Sequence, residues 1–463
     1  MNAYYARVQS DFEIRITLST IQFLAGKVVT TLEQADIYSI LFVGIDISSR
    51  ENVVCFLRFG VQQPLKTFSV PNNQPGAQAL ALTIENFILE QQNHKDALSR
   101  VVVALESTSY YGIHIANYLS SCEELLPFKT LVYCLNPKMI ANYKKSYIGL
   151  SKNDFIDAFI IADFARVGRI TQEPWRGTQF LAVQRLTRHR QHITLSLTRE
   201  KTYMLTNIFL KFSELAKLRD ENAPFANNYG ATAAAVLTDF LSVEDIANTS
   251  LEELVDFICK KSRNRITEPE ATAKLLQKAA RDSYRLDKVL YEPLTVAIAS
   301  SFNLITAYNH ELKAINAAIE KSIKGLDLNS YTALQSIPGI GPVFAAGILS
   351  ELGNIHSFKD NGAVAKYAGL VWRESQSGNF RAEDTAMSKA GNTYLRYYLL
   401  EATNSVIRHE PSFREYYDRK FEEVKIHKHQ RALALTARKF VRLIYGLLAK
   451  GQLYSQDMST QIQ

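Results

Sequence analysis

Four acidic residues in the first third of the chain have the types and the spacing of a metal-ion site. Asp46 and Glu106 each follow a short, continuous apolar run, which is typical of a buried strand. Asp154 and Asp157 lie three residues apart in a segment with helical periodicity, so both side chains would share one helix face. Oxygen-only ligands suit Mg²⁺ or Mn²⁺, the ions that commonly assist phosphodiester cleavage. The sequence therefore predicts a divalent metal site.

The segments that carry these acids follow the order of an RNase H-like α/β domain. Three strands are predicted first, at residues 41–47, 53–59 and 66–70, and helices then alternate with strands up to the segment that holds Asp154 and Asp157. In that fold the first strand carries one acid, the fourth carries another at its end, and the closing helix supplies the rest. The order of elements predicts that the four carboxylates meet.

The middle of the chain, from about residue 180 to residue 325, is predicted to be almost wholly helical. Near its end, residues that alternate by four and three form a heptad pattern: Ile298, Phe302, Ile305, Asn309, Leu312, Asn316, Ile319 and Ile323. Such a seam is typical of a coiled coil, in which repeated polar residues fix register and partner. The pattern predicts pairing of protomers. The alternative is a helix packed inside its own domain, which has the same spacing.

A third unit opens with a predicted helix, a Pro-Gly-Ile-Gly turn at residues 338–341 and a second helix. This order is the helix-hairpin-helix pattern. Its glycines let the backbone approach a partner closely, and the second helix offers amide groups to a phosphate. The pattern predicts a phosphate contact that does not depend on base sequence, with a purely structural hairpin as the alternative.

A second group of reactive residue types follows, in which Ser388 and Lys389 precede Gly391, Asn392 and Arg396. A serine hydroxyl in this setting could attack a phosphate, with Lys389 and Arg396 stabilising the negative charge of the transition state. The alternative is that Ser388 simply caps a helix that starts near Gly391. Spacing alone favours this alternative.

The charge distribution points to a polyanion. The 463 residues are enough for about three domains, and 47% apolar with 21% charged residues is ordinary for a globular protein. The net charge of +7 is concentrated, because no acidic residue occurs between Val424 and Gln456. A solvated helix face is the alternative to nucleic-acid binding there. The candidate contacts in this basic segment are Arg431, Arg438, Lys439 and Arg442.

Neither a disulfide framework nor a membrane span is predicted. The four cysteines have no paired or metal-ligand spacing, and a reducing cytoplasm is the simplest interpretation. No apolar stretch reaches the roughly eighteen residues of a membrane span, and the N-terminus lacks the features of a signal peptide. We expect a cytoplasmic protein.

Taken together, the acids, the glycine-rich turn and the Ser388 segment resemble the insertion-sequence transposases of the DEDD type, the family that includes the Piv DNA invertase and the bridge-RNA-guided recombinases. The resemblance covers roughly residues 41–450. One departure is Ser48-Ser49-Arg50, where many relatives carry a lysine soon after the first aspartate. The strongest matches are Gly44-Ile45-Asp46-Ile47-Ser48, Glu106-Ser107-Thr108, Asn136-Pro137, Lys152-x-Asp154-x-x-Asp157-Ala158, Pro338-Gly339-Ile340-Gly341, Tyr367-Ala368-Gly369-Leu370, Ser377-Gly378 and Ser388-Lys389-x-Gly391-Asn392.

The resemblance implies a recombinase in which Mg²⁺ or Mn²⁺ lies near the scissile phosphate while Ser388 attacks it, giving a covalent phosphoserine–DNA intermediate. The implied partners are donor and target DNA, a structured guide RNA that pairs with both, and further protomers in a homodimer or homotetramer. Such a protein would act at the nucleoid in a bacterial or archaeal cytoplasm. The metal ligands carried over by motif are Asp46, Glu106, Asp154 and Asp157.

The expected architecture combines an α/β domain with helical domains. Its parts are a poorly constrained extension at 1–40, a RuvC-like metal-binding domain at 41–175, a helical coiled-coil spacer at 176–325, a C-terminal transposase domain at 326–450 and a tail at 451–463.

Two other functions fit part of the pattern. A hydrolytic nuclease of the RuvC or DEDD type would use the same acids with water as the nucleophile, leaving Ser388 structural. A non-catalytic nucleic-acid binder is the other, although clustered carboxylates without a metal are costly to bury. A covalent protein–DNA adduct separates the recombinase from both. Ser377, in a glycine-flanked loop, is the second candidate nucleophile.

Overall fold

The computed structural model describes residues 37–92, 97–107, 110–147, 153–170, 173–372, 376–377, 380–381 and 387–456. Nearly all of the predicted extension at 1–40 lies outside these residues, as do most of the tail and the motif residues Thr108, Lys152 and Gly378. The described residues form two compact units. The helical unit is Arg185–Ser322, and the mixed unit comprises the residues before and after it.

The mixed unit begins with a five-stranded sheet whose strand order is β3-β2-β1-β4-β5. Strand β1 lies at the centre, antiparallel to β2 and parallel to β4. Helices cover both faces of the sheet, which explains why β1 is a continuous apolar run and not a polar–apolar alternation. The strands are β1 (Ile40–Ile47), β2 (Glu51–Arg58), β3 (Lys66–Pro71), β4 (Arg100–Glu106) and β5 (Leu131–Leu135).

Helices cover both faces of this sheet, as expected for an RNase H-like domain. Helices α1 (Gln74–Gln91) and α2 (Gly112–Leu119) pack on one face, and α3 (Pro137–Lys144) and α4 (Asp154–Arg166) on the other. Helix α3 was not predicted, although Asn and Pro are residue types that commonly begin a helix. In the structure the Asn136 side chain caps α3 by accepting from the Lys138 N–H at 2.9 Å.

Gly44 lets α4 lie directly on the central strand. A Cβ atom at this position would stand 2.2 Å from the Ala158 carbonyl oxygen and 2.3 Å from the Ala162 backbone nitrogen. The small residues Ala158 and Ala162 are themselves fully buried at this contact. The depth at which α4 sits against β1 is thus set by the absence of side-chain atoms between them.

Two long antiparallel helices organise the helical unit, which also holds five shorter helices among its described residues. Arg190 Nε donates to Asn316 Oδ1 at 2.7 Å near one end of the pair, and Lys211 Nζ donates to Thr295 Oγ1 at 2.7 Å near the other. The helices are α5 (Thr178–Lys211), α6 (Ser213–Lys217), α7 (Ala231–Asp239), α8 (Val243–Asn248), α9 (Leu251–Ser262), α10 (Pro269–Asp282) and α11 (Tyr291–Ile323).

The heptad face of α11 packs inside its own unit. Ile298, Phe302 and Ile305 are buried in one core with Met204 and Ile208 of α5. The structure therefore supports the alternative to pairing of protomers, a helix packed within its own domain. The sequence analysis predicts no segment that could span a membrane. Within the described residues, one segment, Lys288–Ile323, is long and apolar enough to do so by length and composition.

The C-terminal part of the mixed unit is a bundle in which α15 packs against α13, α16 and α17. Gly347 lets α13 approach α15 closely, because a Cβ atom there would stand 2.3 Å from the Tyr398 ring. A short strand pair precedes α15. The elements are α12 (Leu328–Gln335), α13 (Pro342–Leu352), α14 (Asn361–Ala368), β6 (Gln376–Ser377), β7 (Phe380–Arg381), α15 (Thr393–His409), α16 (Pro411–Glu423) and α17 (Lys428–Lys450).

Candidate active site

Two of the predicted acids lie at the ends of neighbouring strands. Ile45 of β1 lies opposite Leu105 of β4 in the parallel ladder. The next residues, Asp46 and Glu106, therefore stand side by side at the same level of the sheet. Both are half-buried, and both side chains are on the face of the sheet that α4 covers. Register and side-chain alternation alone bring this pair together.

Helix α4 brings two further acids to the same strand ends. The Asn153 side chain caps the helix by accepting a backbone N–H at 3.0 Å, so Asp154 and Asp157 both fall in its first turn. Carboxylate oxygens of Asp46, Asp154 and Asp157 lie within 4.8 Å of one another. Three of the four predicted metal ligands thus form one cluster.

It is electrostatically unfavourable for every carboxylate of the cluster to be ionised at once. Burial, followed by the charges of Asp157, Asp154 and Glu106, raises the pKa of Asp46 from 3.8 to about 6. A divalent cation would offset this repulsion, and the donor atoms are all hard carboxylate oxygens at a helix–sheet junction. The residues present therefore fit Mg²⁺ or Mn²⁺.

Lys144 also touches the acid cluster, although the sequence analysis did not identify it. Its ammonium group forms an ion pair with Asp157 Oδ1, and both side chains are about 30% exposed. Lys144 is the last residue of α3, the helix that was not predicted. The sequence signal that could have found it is Asn136-Pro137, a typical helix start. A short helix that begins there ends at Lys144.

A buried carboxylate fixes α4 against α3 further from the strand ends. Asp163 is 1% exposed and accepts hydrogen bonds from the Tyr143 hydroxyl at 2.6 Å and from Arg166 Nε at 2.8 Å. The Tyr147 hydroxyl also donates to it. A charge buried this deeply requires such partners. Asp163 thus holds the helix that presents Asp154 and Asp157, without belonging to their cluster.

The Ser388 loop is built on the end of α14. The Ser388 backbone N–H donates to the Val371 carbonyl at 2.7 Å, and Met387 forms a bridge with Trp372. Ser388 is half-buried, and its hydroxyl makes no hydrogen bond within the part of the chain that the structure describes. The structural alternative for this serine was a helix cap. That alternative is wrong, since Asn392 and not Ser388 caps α15, as described next.

Asn392 is the cap of α15. Its Oδ1 accepts from the backbone N–H groups of Tyr394 and Leu395, each at 3.0 Å. Gly391, with φ of +146°, lets the chain turn against the end of α14 just before this cap. The helix start is therefore satisfied four residues after Ser388, which leaves the serine free of that structural task.

The two cationic candidates in this loop differ in their surroundings. Lys389 is exposed, with φ of +50° in the left-handed region. Arg396 donates through one guanidinium nitrogen to the Lys389 carbonyl at 2.9 Å and to the Ala368 carbonyl at 3.1 Å. Burial lowers the pKa of Arg396 from its usual value. The arginine therefore holds the loop backbone, and the lysine side chain faces solvent beside Ser388.

The four basic candidates on α17 also differ from one another. Arg442 is exposed and Arg431 is half-buried. Arg438 is half-buried and donates to Asn361 Oδ1 at 3.0 Å. Lys439 is 8% exposed, with its ammonium 5.2 Å and 4.9 Å from the centres of two aromatic rings of α16. Arg442 is therefore the most accessible of the four to a large polyanion, and Lys439 is the least accessible.

Comparisons with known proteins match two parts of the chain. The IS110 DEDD transposase family, described as "Transposase", matches residues 43–210, which include the acid cluster. The "Transposase IS116/IS110/IS902 family" matches residues 331–418, which include the Ser388 loop. The acid cluster on an α/β sheet and the two matches define the class of protein: a transposase.

Similar curated proteins indicate which kind of transposase this is. An insertion element IS116 uncharacterized 44.8 kDa protein of Streptomyces clavuligerus is 24% identical over 319 residues, 67% of this chain and 74% of the relative. An IS900 uncharacterized 42 kDa protein of Mycobacterium paratuberculosis is 27% identical, over 68% of this chain and 76% of its own. The transposase of element IS1111A from Coxiella burnetii is 33% identical over 22% of this chain and 25% of its own. The chain belongs to the DEDD-type insertion-sequence transposases.

Proposed function

We propose that this transposase exchanges DNA strands by metal-dependent attack of Ser388 on a DNA phosphodiester. The observation that carries the proposal is the Ser388 loop: it is held on both sides by backbone contacts, while the serine hydroxyl is released from capping by Asn392. A hydrolytic nuclease would need the acid cluster only. The loop would then have no chemical task.

The reaction is a transesterification. The Ser388 Oγ–phosphorus bond forms as the bond from phosphorus to a deoxyribose oxygen breaks; the serine proton passes to solvent, and the departing oxygen takes up a proton. A divalent ion on the carboxylates would stabilise the negative charge of the phosphate. Asp46, Asp154 and Asp157 would hold that ion, with Glu106 as the fourth ligand, and Lys389 would contact the phosphate. Because one phosphodiester replaces another, the energy of the bond remains available for rejoining the DNA strands.

The partners follow from the family resemblance. DNA is the substrate, and we propose that a structured RNA selects donor and target by base pairing, while the protein contacts backbone and shape. Two exchanges at two half-sites need more than one active centre, so we propose a homodimer or homotetramer. In that assembly Ser388 approaches Asp46 and Glu106, in the same or a partner protomer. The turn at residues 338–341 is proposed as a helix-hairpin-helix phosphate contact.

Replacing Ser388 with alanine tests the proposal. We expect Ser388→Ala to abolish a covalent protein–DNA adduct while DNA and RNA binding persist, because only the attacking oxygen is lost. The measurement is a denaturing gel of protein incubated with labelled terminal DNA, RNA and Mg²⁺. Ser377→Ala is the matched control and should keep the adduct. An adduct that survives Ser388→Ala but not Ser377→Ala would assign the nucleophile to Ser377, and cleavage without any adduct would indicate a hydrolytic nuclease.

The basic residues Arg431 and Arg442 of α17 give a second expectation. Arg442→Gln combined with Arg431→Gln should weaken nucleic-acid binding and reduce the slope of log Kd against log salt by about one per charge lost. Arg438→Gln is the matched control: because its guanidinium bonds Asn361, it should lower the melting temperature and leave that slope nearly unchanged. The measurement is fluorescence anisotropy at several salt concentrations. Equal slopes for the wild type and the double variant would show that this helix face is only solvated.

A further inference from the structure

A buried carboxylate lies under the Ser388 loop, far along the chain from the acid cluster. Glu351 is the penultimate residue of α13 and is 2% exposed. A carboxylate at this depth is costly unless donors surround it.

The first donor is the residue that caps α15. Asn392 Nδ2 lies 2.8 Å from Glu351 Oε2 and 3.3 Å from the Tyr367 hydroxyl. A carboxamide has one acceptor end and one donor end, and only one of its two orientations lets Oδ1 face the amides of α15. Glu351, which can only accept when ionised, favours that same orientation. The helix cap and the hydrogen bond to Glu351 therefore favour the same orientation of the Asn392 side chain.

The backbone of the loop follows from this anchored residue. The Asn392 N–H donates to the Tyr367 carbonyl at 2.7 Å, and a Cβ atom on Gly391 would stand 2.3 Å from that same carbonyl oxygen. The Ser388 N–H is bonded to Val371 at the other end of the loop. Between these two bonds there are only three residues, so a shift of Asn392 must move Ser388.

The second donor comes from the beginning of α5. Gln184 Nε2 lies 3.3 Å from the Ser350 carbonyl and 3.5 Å from Glu351 Oε2. The segment before α5 is bound to the sheet, since the Trp175 N–H donates to the Val132 carbonyl of β5 at 2.6 Å. The Glu351 carboxylate thus accepts from two donors. One is Asn392, which anchors the Ser388 loop, and the other is Gln184 at the beginning of α5, the helix that follows the acid-bearing part of the mixed unit.

We propose that Glu351 is a positioning residue for Ser388: through Asn392 it fixes the place of the serine hydroxyl relative to the start of α5. The inference rests on the proposed role of Ser388 as the nucleophile. Glu351 itself touches no DNA. A misplacement of about 1 Å in a reacting group can cost roughly 100-fold in rate, which sets the scale of the expected effect.

The test exchanges the polarity of the Glu351–Asn392 pair. In Asn392→Asp two carboxylates face each other, and we expect the rate of adduct formation to fall at least about 10-fold. In Glu351→Gln/Asn392→Asp the amide donor is on the other partner and the cap of α15 remains an oxygen. We expect this double variant to recover to within about 3-fold of the wild type, because the same hydrogen bond is restored. A rate in the double variant no better than in Asn392→Asp would overturn the proposal.

Two further variants separate positioning from general stability. Glu351→Met removes the acceptor at similar volume and should slow the adduct about 100-fold. Thr403→Val, a fully buried change on α15 whose hydroxyl donates to the Leu399 carbonyl of the preceding turn, is the matched control and should stay within about 3-fold. If Glu351→Met forms the adduct at the wild-type rate while Ser388→Ala forms none, the positioning role is wrong. If Ser388→Ala still forms the adduct, the proposed function has failed instead.

A spectroscopic readout needs no DNA. The chain has two tryptophans, and Trp372 pairs with Met387 beside Ser388. In a Trp175→Phe background, acrylamide quenching of Trp372 should increase in Glu351→Met and Asn392→Asp and return to the starting value in the polarity-exchanged double variant. Unchanged quenching in all three would contradict a shift of the loop.

Discussion

Asp46→Asn is expected to stabilise the metal-free protein near neutral pH and to abolish both its response to Mg²⁺ and strand exchange. Asp46 has its pKa raised to about 6, first by burial and then by three neighbouring carboxylates. A group whose pKa is raised on folding contributes stability that is full below its unfolded value, here 3.8, and that is lost as the pH rises through about 6. At about pH 7.5 the charged carboxylate therefore opposes folding, and asparagine does not.

Thermal unfolding measures this effect. Without metal, we expect Asp46→Asn to melt at least about 3 °C above the wild type at pH 7.5, with the difference shrinking by about pH 5. Excess Mg²⁺ should raise the melting temperature of the wild type and not that of the variant. Glu90→Gln on the exposed face of α1 is the matched control and should behave as the wild type. A variant that still responds to Mg²⁺, or strand exchange that continues in excess EDTA, would rule out a metal site on these acids.

Gly44→Ala is expected to destabilise the mixed unit strongly and to disperse the acid cluster. The added methyl group would stand 2.2 Å from the Ala158 carbonyl and 2.3 Å from the Ala162 nitrogen, both backbone atoms that cannot rotate away. Helix α4 must then move off β1, carrying Asp154 and Asp157 with it. Overpacking of this kind costs about 1–3 kcal/mol or more.

The measurement for this glycine combines chemical denaturation with the Mg²⁺-dependent shift in melting temperature. We expect both the free energy of unfolding and the metal response to fall. Gly446→Ala in the interior of α17 is the matched control: a Cβ atom there meets nothing within 4 Å. That change should be neutral or stabilising by up to about 1 kcal/mol. A Gly44→Ala protein as stable as Gly446→Ala would show that α4 does not depend on this close contact.

Much of the acid site could be predicted because its parts depend on local pattern. Apolar runs that end in Asp46 and Glu106 specify two buried strands, and their ends meet once the strands pair in parallel. Asp154 and Asp157 share a helix face by spacing alone. The mixed α/β organisation and the family were confirmed on the same residues. The residue types of the Ser388 segment, by contrast, allowed a nucleophile or a helix cap; spacing alone favoured the cap, and only the resemblance to the family favoured the nucleophile.

The remaining features depend on partners from distant parts of the chain, and the tertiary structure alone decided them. The spacing of Ile298, Phe302 and Ile305 is the same whether a helix faces a second protomer or its own core, and only the position of α5 shows that it is the core. Likewise, no spacing rule distinguishes Ser388 from Asn392 as the cap of α15. Asn392 takes that role because its amide is fixed from the other side by Glu351, a residue 41 positions earlier in the sequence. A sequence pattern states which face of an element is apolar or polar; which element covers that face is determined by packing.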